Sequence, residues 1–353
     1  MIKLLIVDDS ALMRRQLSTR FNAEGDFTIR LARNGKEAVE ENHAFQPDVI
    51  TLDINMPEMD GLTALSMIMV ERPVPVVMVS SLTEKGALAT FEALNLGAVD
   101  YIVKPGGTIS LSIDRVLDAI VSKVRVAAKA RIKPPLRARA ARPGFVPRVV
   151  ASENAPASRT SHLGNGLVII GVSTGGPRTL EAILPLLPAD FPWPILVAQH
   201  MPASFTLPFA QRMDGLCALN VVEASRPMML EPGTVYIGKG GGDMVVSERL
   251  GKLTVLPKPE NAAYLWHPSA ELLGRSVLEH VDPTLVVAVM LTGMGYDGAD
   301  AFAELKKRGG RTIAESEDSA VVFGMPAELI ARGGASVVLH CEKIAQQINA
   351  WVS

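Results

Sequence analysis

The chain has 353 residues, 48% apolar and 20% charged, which supplies material for buried cores and excludes a chain disordered throughout. At about 100–200 residues per domain, the length favours two domains. The formal net charge of −2 excludes a global electrostatic attraction to nucleic acid or to an anionic membrane. The first part of the chain alternates short apolar runs with helix-like stretches. Lys3–Val7 reads as a buried strand, and Ser10–Phe21 as a helix opened by a serine cap. Further strands are expected at Asp48–Leu52, Pro75–Val79 and Tyr101–Val103, with helices at Gly35–Ala44, Gly61–Val70 and Gly86–Leu96 between them. A last helix is expected from Ser110 to about Ala130. Strands alternating with helices imply a parallel sheet with helices on both faces.

Residues 131–166, rich in Pro, Arg, Ala and Ser, hold no sustained period and read as a linker. The charge is uneven about this stretch. Residues 1–118 carry 11 basic and 17 acidic side chains, residues 119–166 carry 10 and one, and residues 167–353 carry 14 and 19. From Gly166 the alternation resumes, with strands expected at Leu167–Val172, Pro194–Gln199, Thr234–Ile237, Leu285–Leu291 and Ser336–Leu339. Residues 240–257 read as a hairpin with Arg249–Lys252 as its turn. Cys217 and Cys341 are the only cysteines; they fit neither a disulfide framework nor zinc-ligand spacing and read as reduced thiols. No apolar run reaches the ~18–20 residues that span a bilayer. The Ile2–Val7 run is too short for a secretory segment, so a soluble, cytoplasmic protein is expected.

In an open parallel sheet, ligands bind beyond the carboxyl ends of the strands. In the first part those ends carry Asp8 and Asp9, Asp53, Ser80 with Ser81, and Lys104 followed by Pro105. Three carboxylates on one edge repel one another unless a divalent cation neutralises them. Hard oxygen donors suit Mg2+, which keeps several waters and accepts a phosphoryl oxygen. Lys104 can act on that phosphoryl group as a point charge, and the Ser80 hydroxyl can bond to it. With VDDS, LDINMPEMDGL, VMVSS and DYIVKPGG in this order, residues 1–122 resemble a response-regulator receiver domain. The resemblance implies a flavodoxin-like α/β fold, and Asp53 as acceptor of a phosphoryl group from a chemotaxis histidine kinase. It implies Mg2+ on Asp8, Asp9, Asp53 and the Asn55 backbone carbonyl, with Ser80 as switch hydroxyl, Tyr101 as switch aromatic and Lys104 beside them.

In the second part, sharp turns follow three strands: Gly171–Pro177, Gln199–Pro202 and Leu291–Gly298. The strand-end rule allows Ser173, His200 and Asp297 to meet at one edge, as nucleophile, base and orienting carboxylate. Their chain order and the turn around Ser173 differ from the common α/β-hydrolase pattern. The Gly171–Gly176 spacing resembles a P-loop, but Pro177 and Arg178 replace the Lys-Ser/Thr that a nucleotide site needs. Glycines beside a nucleophile also suit an oxyanion site. Taken singly, His200 reads as a structural histidine and Asp297 as a helix cap; only the combination with Ser173 favours catalysis.

GVSTGGP, AQHMP, LTGMGYDGA and VVFGMP resemble the catalytic domain of the chemotaxis methylesterase (CheB) family over about residues 167–350. The resemblance implies a doubly wound α/β hydrolase domain with Ser173 as nucleophile, His200 as base and Asp297 as orienting acid. Thr174 and the backbone N–H of Met294 become candidate oxyanion groups, and no cofactor is expected in this part. It implies hydrolysis of glutamyl methyl esters on chemoreceptors, releasing methanol, and deamidation of receptor glutamines in some members. The expected division is a receiver domain over 1–122, a basic linker over 123–166 and a catalytic domain over 167–353. Two stretches depart from the family pattern. Gly238 and Lys239 stand where a small residue and proline are expected, in a run continuing through Gly242 and Asp243. His267 stands where arginine is expected. These departures bear on substrate preference and loop rigidity. Rival readings are a phosphorylation-dependent receptor-docking protein and an esterase or amidase of the same scaffold acting outside chemotaxis. The basic strip lacks interleaved aromatics and no helix-turn-helix pattern follows, which argues against a nucleic-acid partner; no membrane insertion is expected.

Overall fold

A computed structural model describes residues 1–80, 83–104, 112–130, 132 and 166–352. Ser81, Pro105, Ser110 and the stretch 133–165 lie outside the described residues. The N-terminal half runs β1 (Ile2–Val7), α1 (Ala11–Glu24), β2 (Phe27–Ala32), α2 (Gly35–Ala44), β3 (Val49–Asp53), α3 (Gly61–Glu71), β4 (Val76–Ser80), α4 (Glu84–Leu96), β5 (Asp100–Val103) and α5 (Ser112–Ala127). Its five strands are all parallel, in the order β2-β1-β3-β4-β5. The order reverses beside β1, so the ends of β1 and β3 open onto one crevice. Helix starts follow local capping chemistry. The Ser10, Asn34, Asp60 and Thr83 side chains each accept a backbone N–H of the following first turn.

The C-terminal half continues with β6 (Leu167–Val172), α6 (Gly176–Ile183), β7 (Ile195–Gln199), α7 (Ala203–Leu216), β8 (Asn220–Ala224), β9 (Met228–Met229), β10 (Thr234–Gly238), β11 (Asp243–Arg249) and β12 (Lys252–Lys258). Then come α8 (Ala270–His280), β13 (Val286–Met290), α9 (Ala299–Lys307), β14 (Arg311–Glu315), α10 (Met325–Ala331), β15 (Val337–Leu339) and α11 (Cys341–Val352). Seven strands form a parallel sheet in the order β15-β14-β13-β6-β7-β10-β8. The expected hairpin is β11–β12, antiparallel, with β9 on its far edge. Leu250 and Gly251 turn it at φ of 53° and 72°, the twist that a two-residue connection needs.

Four strands escape the sequence reading: β2, β8, β9 and β14. In β2 and β8 polar residues facing solvent interrupt the apolar run, as the burial of β2 (FTIRLA, with Thr28, Arg30 and Leu31 exposed) illustrates, and β9 is only two residues long. Helix α5 runs to Ala127, past the expected boundary at 122. Val124 and Ala127 are fully buried and extend the apolar stripe of Ile120 and Val121, so the helix continues through residues 123–127, within the expected helix that runs to about Ala130.

The two halves share apolar packing. Phe91 of α4 meets Phe205 and Phe209 of α7 at 6.2 and 5.4 Å between ring centroids, and Tyr101 of β5 stacks on Phe205 at 4.8 Å. Val321 lies in one buried cluster with Ile120, Val121 and Val124. Among the described residues no helix is long and apolar enough to cross a membrane.

Neither cysteine forms a disulfide. Burial pushes the Cys217 thiol up to about 12, with the nearby Asp214 and Glu181 charges adding to it. A thiol-reactive dye at about pH 8 should therefore label native protein at the half-exposed Cys341 and spare Cys217 until denaturant is added. Mass mapping of the labelled peptides checks this.

Candidate active site

Strands β13, β6 and β7 are adjacent at the centre of the larger sheet, so the turns at their carboxyl ends converge. The turn after β6 carries Ser173, that after β7 carries His200, and that after β13 carries Asp297. Asp297 is 3% exposed. Its carboxylate accepts from four donors: His200 Nε2 at 2.8 Å, Ser269 Oγ at 2.8 Å, Ala270 N at 2.6 Å and Glu271 N at 3.1 Å. The two amides belong to the first turn of α8, where unpaired N–H groups favour a negative charge. The other ring nitrogen, Nδ1 of His200, is buried and has no hydrogen-bond partner. Ser173 lines the same cleft, but its hydroxyl is not bonded to the ring. Trp266 lies parallel to the His200 ring at 5.9 Å, and Tyr296 meets the Trp266 edge at 5.2 Å. One face of the imidazole is thereby fixed.

The turn that carries Ser173 has a support that sequence reasoning missed. Thr292, fully buried, accepts from Ser173 N at its carbonyl at 3.0 Å and donates its hydroxyl to Thr174 O at 2.9 Å. The same hydroxyl accepts from Val322 N at 2.9 Å. The Thr292 N–H is held by Oε2 of Glu315 at 2.8 Å, a fully buried carboxylate whose Oε1 takes the Ser319 hydroxyl. Close backbone approach also demands glycine nearby. A Cβ at Gly240 would fall 2.1 Å from Met201 O, in the turn that carries His200.

A cleft of about 1260 Å³ runs between the halves. Ser173, Thr174, His200, Trp266, His267 and Met294 line one side; Tyr101, Ile102, Val103, Ile120, Ser122 and Lys123 line the other. Thr174 was expected near an oxyanion. That expectation concerns its backbone; its hydroxyl donates to Asp100 Oδ2 at 2.8 Å across the boundary, and Lys123 pairs with the same carboxylate at 3.1 Å. Met294 accepts from Ser122 Oγ through its sulfur at 3.6 Å.

At the carboxyl edge of the smaller sheet, oxygens of Asp8, Asp9 and Asp53 lie within 4.8 Å of one another. Lys104 Nζ reaches Asp53 at 2.7 Å and Asp8 at 3.1 Å. Burial raises the Asp53 pKa and the Asp8 charge adds to it, against the opposing pull of Lys104. Burial disfavours the Lys104 charge, but its bond to Asp53 and the charges of Asp53 and Asp8 outweigh this and raise its pKa. Asp8 Oδ2 is buried with the Lys104 ammonium as its neighbour, and three carboxylates whose oxygens converge in this way fit a divalent cation. Asn55 is exposed beside this edge. Ser80 is buried and donates to Gly86 O at 3.2 Å. Tyr101 is buried with its hydroxyl unpartnered, and burial raises its pKa well above the usual phenol value.

A family model described as CheB methylesterase matches residues 168–348, and one described as response regulator receiver domain matches residues 4–113. The chain is 56% identical to protein-glutamate methylesterase/protein-glutamine glutaminase 3 of Rhodospirillum rubrum, over 100% of this chain and 97% of that protein. It is 52% identical to a second such protein, from Rhodopseudomonas palustris, over 99% and 98%. The crystal structure of the Thermotoga maritima CheB methylesterase catalytic domain aligns with a TM-score of 0.52 and 38% identity, over 53% of this chain and 99% of that one.

Burial raises the Asp297 pKa, but the His200 bond and charge and the α8 amides outweigh it and leave it below the ordinary carboxylate value. A carboxyl whose pKa is lower folded than unfolded adds stability that is complete above about pH 4 and disappears as pH falls through the lowered folded value. Asp297→Asn should therefore flatten the decline of the urea midpoint below about pH 4 relative to wild type.

Proposed function

This chain belongs to the CheB methylesterase family, and from that premise we propose that it is a phosphorylation-controlled protein-glutamate methylesterase and protein-glutamine glutaminase of chemotaxis, acting on chemoreceptors. The observation that carries the reading is the His200–Asp297 pair, its second ring nitrogen unpartnered, in one cleft with Ser173. We infer a receiver domain over 1–122, continued by the end of α5, a linker up to 166 and a catalytic domain over 167–353.

Ser173 Oγ attacks the ester carbonyl as its proton passes to His200 Nδ1, the ring nitrogen not engaged by Asp297. Asp297 stabilises the imidazolium and holds the ring. The oxyanion is received by backbone N–H groups of the turns at Thr174 and Met294, which Thr292 and Glu315 brace. The carbon–methoxy bond breaks and methanol leaves with the His200 proton. Water, deprotonated by His200, then attacks the acyl-serine, and the returning proton frees Ser173. With a glutamine substrate the leaving group is ammonia.

Asp53 accepts the phosphoryl group from a histidine kinase. Asp8, Asp9, Asp53 and the Asn55 carbonyl are the residues suited to hold Mg2+, which supplies charge neutralisation to that transfer when bound. Lys104 pairs with the phosphoryl oxygens, and Ser80 and Tyr101 respond. Lys104 immediately follows β5, whose Asp100 holds Thr174 and whose Tyr101 packs on Phe205. Rearrangement at Lys104 therefore loosens the wall that closes the cleft, and a few kcal/mol of bias changes the open population more than tenfold.

Methanol release from methylated receptor membranes tests the reading. Ser173→Ala should abolish it, and Asp297→Asn should lower it about 10⁴-fold. A small phosphodonor should accelerate release in wild type but not in Asp53→Ala or after chelation of divalent cations. An Asp53→Ala variant that responds as wild type does refutes the control mechanism.

A further inference from the structure

The cleft contains a second histidine–carboxylate pair that the mechanism leaves unused. The Asp243 side chain, at the start of β11, is fully buried. Its Oδ1 accepts from His267 Nδ1 and Ser269 N, both at 2.9 Å, and its Oδ2 accepts from Asn261 N at 3.0 Å. His267 lines the cleft with Ser173 and His200, its side chain 15% exposed. It follows Trp266, the residue stacked on His200. The backbone beyond it is also braced, since Pro268 packs where a Cβ on Gly238 would come within 2.9 Å of its Cγ. Gly238 and His267 are among the positions at which the sequence departs from the family pattern, and here both lie in one unit with Asp243.

A carboxylate that accepts from Nδ1 selects the neutral tautomer with the proton on Nδ1 and the lone pair on Nε2. Nε2 is the ring atom left for the cleft, and a lone pair there accepts a hydrogen bond from an amide N–H. Arginine, the residue expected at this position, offers only donors. The pair therefore equips the wall beside the reacting groups with an oriented acceptor.

We propose that His267, held by Asp243, is a positioning residue for substrate: Nε2 accepts an amide N–H of the receptor segment carrying the modified glutamyl side chain, and so registers its carbonyl on Ser173. This rests on the protein-glutamyl substrate assigned above. The test compares kcat and KM on a methylated receptor fragment and on p-nitrophenyl acetate, an ester without a peptide N–H. His267→Phe keeps a ring and removes the nitrogens. Its kcat/KM on the receptor fragment should fall about threefold to tenfold further than on p-nitrophenyl acetate, chiefly through KM. His267→Gln, whose side-chain carbonyl accepts, should recover part of the difference. Equal losses on both esters, or none on the receptor fragment, overturn the proposal. A wild-type ratio in Asp243→Asn overturns the orienting role of Asp243. Ser173→Ala decides the underlying reading separately: continued methanol release from that variant defeats the methylesterase assignment whatever His267 does.

Discussion

One buried negative charge organises the catalytic half. An ionised carboxylate as enclosed as Asp297 is costly unless every lone pair is answered, and removing a partner from such a group costs several kcal/mol. The fold answers it from three directions: the His200 ring, the Ser269 hydroxyl and the two amides that open α8. Because the donors come from separate segments, satisfying the charge fixes the segments to one another. The turn after β13 cannot shift without exposing the start of α8, and α8 cannot shift without drawing Ser269 and the adjoining Trp266–Pro268 stretch. The orientation of His200 follows, with Asp297 at one nitrogen and Trp266 across one face. The charge that holds the His200 ring thus also determines where the cleft wall stands.

Strand β5 has a comparable place between the halves. Within a few residues it carries Asp100 bonded to Thr174, Tyr101 stacked on Phe205, and at its end Lys104 paired with Asp53 and Asp8. A strand in a packed sheet transmits displacement along its length better than a loop does, because its ladder bonds keep the residues in register. A charge placed at Asp53 acts first on Lys104, and the residues that meet the catalytic half stand three and four positions earlier. Val321 adds a second contact. It packs in the cluster that includes α5, and it sits where a Cβ on Gly175 would come within 2.6 Å, in the nucleophile turn itself. The proposed control accordingly reaches the reacting group through packing as well as through access to the cleft.

The sequence made legible those features that sit at ends of central strands. Asp8, Asp53, Ser173, His200 and Asp297 each lie at or shortly beyond the carboxyl end of a largely apolar strand, and a parallel sheet brings such ends to one edge. Edge strands were harder to read: in β2 and β8 one side faces solvent, so polar residues break the run. Strand β14 (RTIAE) holds only two apolar residues between polar ones, and with it went Glu315, whose importance lies in a backbone amide 23 positions away in sequence. No local pattern marks such a pairing. Thr174 illustrates a different limit. Its place beside Ser173 is visible along the chain, but the partner of its hydroxyl, Asp100, comes from the other half.

The glycine-rich departure acquires meaning only in three dimensions. Read along the chain, Gly238 and Gly240 look like loosened loop, since each replaces or dilutes residues that restrict the backbone. In the fold they do the reverse. Gly238 admits Pro268 and Gly240 admits the Met201–Ala203 backbone, so the absence of side chains allows two cleft-forming turns to pack against β10 and the segment after it. Asp243 then ends the run by binding the ring of His267 and the amide that leads into α8. A path therefore leads from Gly238 through Pro268, and from Asp243 through Ser269, to the carboxylate of Asp297. One continuous set of contacts thus joins the His267 side of the cleft wall to the carboxylate that holds His200.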